Sequence, residues 1–90
     1  INNRAFASEF HLQKRGKHSR IIPEVIDFSD ADFAAIARGF GAHGVRVTRS
    51  EDLIPALQEA YAMGRPALVD VLCSKETPAP SASYRGDSLV

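Results

Sequence analysis

Ser29-Asp30-Ala31-Asp32-Phe33-Ala34-Ala35-Ile36-Ala37-Arg38-Gly39-Phe40-Gly41-Ala42-His43-Gly44-Val45-Arg46-Val47-Thr48 holds a helix, a turn and a strand in twenty residues. Phe33, Ile36, Ala37 and Phe40 recur at i, i+3, i+4 and i+7, the stripe of an amphipathic helix from about Asp30 to Phe40. Ser29 is a suitable N-cap, and Asp30 and Asp32 place carboxylates at the positive end of the helix dipole. Gly41 stands where a left-handed C-cap is expected. Ala42-His43-Gly44 reads as a turn with His43 exposed, and Val45-Arg46-Val47-Thr48 as a short strand.

The same alternation continues downstream. Ser50 caps a second helix whose start Pro55 can delay, with Leu53, Leu57, Ala60 and Tyr61 as its buried face. Gly64 and Pro66 end it, and Ala67-Leu68-Val69-Asp70-Val71-Leu72-Cys73 reads as a strand covered on both faces. Asp70 interrupts that apolar run and, if buried, requires a hydrogen-bonding partner. Cys73 reads as a structural thiol at the strand end.

Upstream, Ile1-Asn2-Asn3 looks like a buried strand running into two amides, so the polypeptide is expected to continue before Ile1. Phe6 and Phe10, four apart, suggest a short helix within Arg4–Gln13 with its aromatic face buried. Lys14 to Arg20 is a basic stretch around Gly16, read as a solvated loop with a site for an anionic substrate group or cofactor phosphate as the alternative, and Pro23 makes Ile21–Ile26 a loop or edge segment. Strands alternating with helices imply an α/β fold with a parallel sheet and flanking helices. Residues 1–73 form that portion, and the polar, proline-containing residues 74–90 form a C-terminal tail.

Composition narrows the function classes. Ninety residues with 44% hydrophobic and 24% charged content suit one globular domain or part of one. Eleven basic and eleven acidic residues cancel, so the basic footprint of a nucleic-acid binder is absent. No run approaches the ~20 apolar residues of a membrane-spanning helix, and a single cysteine fits a reducing compartment. A cytoplasmic location is expected. His11, His18 and His43 share no ligand spacing, so no histidine metal site is expected.

Asn2-Asn3, the run Asp32 to Val47 with its Ala37-Arg38-Gly39-Phe40-Gly41-Ala42-His43-Gly44, and the ending Gly64-Arg65-Pro66-Ala67-Leu68-Val69-Asp70-Val71 closely resemble one family. It is that of the thiamine-diphosphate-dependent enzymes of the acetolactate synthase and benzoylformate decarboxylase type. The resemblance covers residues 1 to 73 and implies the C-terminal half of a thiamine-diphosphate-binding domain. In that family a Gly-Asp-Gly motif is closed by Asn-Asn. This sequence retains only the Asn-Asn, and its one Gly-Asp, Gly86-Asp87, lies in the tail.

A diphosphate held through Mg²⁺ needs hard oxygen ligands. The resemblance implies that Asn3 supplies its side-chain oxygen and Ala5 its main-chain carbonyl, that Asn2 supports the turn, and that an upstream aspartate supplies charge. Phe6, Glu9 and Phe10 follow as candidate substrate-pocket residues, with Phe10 also suited to a packed helix face. The activating glutamate of relatives belongs to another domain, so no catalytic residue is assigned and the 90 residues are expected to be incompetent alone. The implied activity is decarboxylation of a 2-oxo acid with transfer of the product to an acceptor, in a homodimer or homotetramer. FAD accompanies the cofactor in some members, an option these residues leave open. The alternative is a non-catalytic α/β regulatory or subunit-contact module.

Overall fold

The computed structural model describes residues 1–15 and 20–77. Gly16 to Ser19 of the basic stretch, including His18, and residues 78–90 of the tail lie outside the described residues. The elements are α1 (Ala7–Arg15), α2 (Pro23–Ile26), α3 (Phe33–Gly39), β1 (His43–Val47), a 3₁₀ turn (Ser50–Asp52), α4 (Leu53–Ala62) and β2 (Ala67–Val71). The fold is α/β: β1 and β2 pair in parallel, with His43 opposite Ala67 and Val47 opposite Val71, and helices flank them. Asn2 forms a further parallel bridge to Leu72, where its N–H donates to the Val71 carbonyl at 2.7 Å.

The amphipathic helix forms, but later and with a different cap than expected. Asp32, in extended conformation, accepts the Ala35 N–H at 2.9 Å, and Ser29 is not the cap. Asp30 lies outside the helix and reaches Arg4 instead. Ala34 and Ala37 are the residues α3 buries against the strands, whereas Phe33, Ile36 and Phe40 face outward. Close approach explains the choice of small residues. Gly44 meets α3 so tightly that an added Cβ would collide with the Ala34 carbonyl. Gly41 has a φ of 86°, the left-handed conformation expected of the cap.

His43 belongs to β1 and not to a turn, because its N–H is already engaged by the Pro66 carbonyl at 2.9 Å. It is half-buried, with its Nε2 enclosed and unpartnered. Downstream, Ser50 opens a 3₁₀ turn and α4 begins at Leu53, with Pro55 in its first turn where a missing N–H costs least. Ala56 is the buried residue of α4. Leu53 and Ala60 are half-buried, while Leu57 and Tyr61 of the expected apolar face are exposed. In β2, Ala67 and Leu68 are likewise exposed, so the strand is not covered on both faces. Cys73 is exposed rather than a buried structural thiol, although its N–H still donates to the Asn2 carbonyl at 2.9 Å.

Residues 23–26 form one helical turn in place of the expected loop. Pro23 presets the helical φ at the first position, and Ile22 before it is extended. Ile26 then packs with Ala5 and Phe10 into a small apolar cluster, and Asp27 bridges Ala5 antiparallel. Phe10 is thus on a packed face, while Phe6 stays half-exposed and meets Phe28 edge to face at 4.5 Å.

Candidate functional site

Beyond the carboxyl end of β2 the chain from Asn2 to Ala5 makes two consecutive side-chain turns. Asn2 Oδ1 accepts the Arg4 N–H at 3.1 Å, and Asn3 Oδ1 accepts the Ala5 N–H at 3.2 Å. Asparagine favours such turns because its short amide mimics a backbone carbonyl. The carboxyl ends of parallel strands are also where open α/β sheets place their ligands. Two ladders secure the turn. Asn2 is held by β2, and around Ala5 the Phe6 N–H donates to the Ile26 carbonyl at 2.9 Å and the Phe28 N–H to the Arg4 carbonyl at 2.8 Å.

A cavity of about 330 Å³ opens beside the turn, lined by the polar Asn2, Asn3 and Arg4 and by the apolar Phe28, Phe33 and Val69. Asn2 is buried and its Nδ2 has no partner. Asn3 is half-buried, and its amide oxygen, with two lone pairs, spends one on Ala5 and keeps one free for a cation. An amide oxygen and a main-chain carbonyl form the hard donor set that Mg²⁺ takes, so Asn3 and Ala5 suit that ion. Nearby carboxylates are already committed: Asp70 to Arg46, and Asp30 to Arg4 and Arg46. Among the described residues no three histidine, cysteine, aspartate or glutamate side chains come together as a metal-binding group.

Of the expected pocket residues, Phe6 reaches the cavity only through Phe28, Glu9 is exposed on α1, and Phe10 belongs to the apolar cluster. The structure instead brings an ion network to the site. Arg46 Nε lies 3.1 Å from Asp70 Oδ2, its Nη2 donates to the Ala31 carbonyl at 2.7 Å, and its Nη1 lies 3.8 Å from Asp30. Arg4 Nε completes the relay at 3.1 Å from Asp30. The hydrogen bond that buried Asp70 requires is therefore the one from Arg46. A sequence signal existed: Arg46 and Asp70 are each the fourth residue of their strands, and parallel pairing sets them side by side. The Asp32 carboxyl is held below its ordinary value by the Ala35 N–H, with Arg46 and Arg38 adding to the effect.

A second clasp lies at the strand exit. The Lys75 carbonyl accepts from His11 Nε2 at 2.9 Å, and Lys75 Nζ reaches Asp27 at 2.7 Å and covers the Phe10 ring at 5.1 Å. Lys14, whose Nζ lies 5.0 Å from the centre of the same ring, pairs with Glu76.

Residues 1–71 match the family model of the thiamine pyrophosphate enzyme C-terminal TPP binding domain, and the chain belongs to that family. It is 38% identical over 80 residues, 89% of its length, to the thiamine pyrophosphate-containing protein YdaP of Bacillus subtilis. It is 33% identical over 93 residues, 99% of its length, to a sulfoacetaldehyde acetyltransferase of Alcaligenes xylosoxydans xylosoxydans. A benzoylformate decarboxylase of Pseudomonas aeruginosa is 41% identical over 46 residues, 51% of the chain. The chain spans 13%, 15% and 9% of these three relatives.

Proposed function

We propose that this chain forms one side of a thiamine diphosphate site in a longer polypeptide that acts on a 2-oxo acid in the manner of acetolactate synthase. The observation that carries the reading is the Asn2–Ala5 turn at the carboxyl end of a parallel sheet, in a chain of the TPP-binding family. In it, Asn3 Oδ1 and the Ala5 carbonyl ligate Mg²⁺, Asn2 closes the turn, and a carboxylate from a preceding part of the polypeptide completes the charge. The bound cofactor supplies the carbon nucleophile that makes cleavage beside a carbonyl feasible. This chain would contribute binding and orientation: the turn would hold the metal-bound diphosphate, and Phe28 and Phe33 supply apolar lining to the cavity. The decarboxylase and acetyltransferase names of the relatives support loss of carbon dioxide followed by transfer to an acceptor. The active assembly is a cytoplasmic homodimer or homotetramer, and the 90 residues alone do not turn over a 2-oxo acid.

Calorimetric titration of thiamine diphosphate and Mg²⁺ into the complete polypeptide tests the assignment. Asn3→Ala removes an inner ligand, so affinity falls by at least the roughly 10- to 100-fold that follows loss of an outer-shell partner. Metal-independent binding, or full affinity in Asn3→Ala, would refute the metal assignment. No binding by the complete wild-type polypeptide would favour the non-catalytic module.

A further inference from the structure

Arg4 is the one non-glycine residue with positive φ among the described residues, at 58°. An L-residue with a Cβ is disfavoured there, and such a conformation persists only where its surroundings enforce it. Three restraints do so. The Arg4 N–H is held by Asn2 Oδ1 at 3.1 Å, its carbonyl by the Phe28 N–H at 2.8 Å, and its guanidinium by Asp30 at 3.1 Å. Asp30 also faces Arg46, which is anchored on buried Asp70. A relay of four alternating charges thus runs from the middle of the sheet to the one strained residue.

The position of that residue gives the strain a use. Arg4 stands between Asn3 and Ala5, and a left-handed residue there turns the chain back so that Asn3 Oδ1 meets the main chain of Ala5. Moving Arg4 to a negative φ would rotate everything that follows it, and the Ala5 carbonyl would be aimed differently from Asn3 Oδ1. We propose that Arg4 is a positioning residue, locked left-handed by the Asp30–Arg46–Asp70 relay so that the oxygens of Asn3 and Ala5 converge on one cation. This rests on the assignment of Asn3 and Ala5 as metal ligands.

Glycine adopts a φ near +60° without steric cost, which separates backbone geometry from charge. In the complete polypeptide, Mg²⁺-dependent binding of thiamine diphosphate is measured by calorimetry for wild type, Arg4→Ala, Arg4→Gly, Asp30→Asn and Asn3→Ala, beside each ligand-free unfolding midpoint. Arg4→Ala and Asp30→Asn are expected to weaken binding roughly tenfold, and Arg4→Gly to recover to within about threefold of wild type. A merely structural role would make affinity follow the unfolding midpoints. Equal losses in Arg4→Ala and Arg4→Gly, or wild-type affinity in Arg4→Ala while Asn3→Ala fails to bind, would overturn the positioning role. Wild-type affinity in Asn3→Ala would overturn the ligand assignment and this inference with it.

Discussion

Asp70 is 3% exposed, and a carboxylate so enclosed is tolerable only beside a cation. Arg46 is that cation, and its planar fork serves Asp70 and the Ala31 carbonyl together, which a lysine's point charge would not do. Arg46→Met should therefore destabilise the folded state by about 3–5 kcal/mol, since it strands a buried charge. Arg46→Met combined with Asp70→Leu should recover most of the loss, because no charge then remains to be solvated. Urea unfolding of the three proteins measures both outcomes, and a double variant no better than the single would refute the account.

Helix α3 combines an acid-sensitive cap with a close contact to the sheet. The Asp32 carboxyl is lowered from its ordinary value of 3.8, first by the Ala35 N–H and then by Arg46 and Arg38. A carboxylate lowered in the folded state stabilises it above the unfolded value, and the contribution disappears as pH falls through the folded one. Asp32→Asn, which keeps a capping oxygen, should thus converge on wild type as pH falls below the ordinary carboxylate value and so flatten the acid limb of the thermal midpoint. Asp32→Ala should lower the midpoint at pH 7. At the other contact, Gly44→Ala should cost at least the ~1–3 kcal/mol of an overpacked core, visible as a lower urea midpoint. The 3.6-residue period makes α3 legible in the amino-acid sequence, and the helix-strand alternation makes the parallel pair legible too. Periodicity tells which residues share a face but not what covers it. Phe33, Ile36 and Phe40 do form a stripe, yet Ala34 and Ala37 are the residues against the strands. Ser29 and Asp32 are both capping residues, and only the extended backbone of Asp32 decides between them. The Asn pair is legible as a turn, whereas Arg4's part in it depends on a backbone angle and on Asp30, both set by tertiary structure.

Taken whole, the described residues leave much apolar surface in water. Ile1, Phe40 and Tyr61 are 92%, 88% and 89% exposed, and two paired strands make a marginal sheet. Expressed alone, the chain should bind a hydrophobic dye such as ANS strongly, and Phe40→Ser with Tyr61→Ser should reduce the fluorescence without lowering the unfolding midpoint. Unchanged fluorescence would show that these faces are not the dye site. The bridge from Asn2 to Leu72, reinforced by the Lys75 clasp on His11 and Asp27, has a kinetic consequence. It joins the first residues of this stretch to nearly its last strand, and such long loops close only after local structure has formed. At ribosomal rates of ~5–20 residues per second, the asparagines would wait roughly 4–14 s for Leu72 to be made. The pair at the start of this stretch is therefore among the last parts to mature during synthesis, and a cofactor would meet its finished cradle only after β2 has been released.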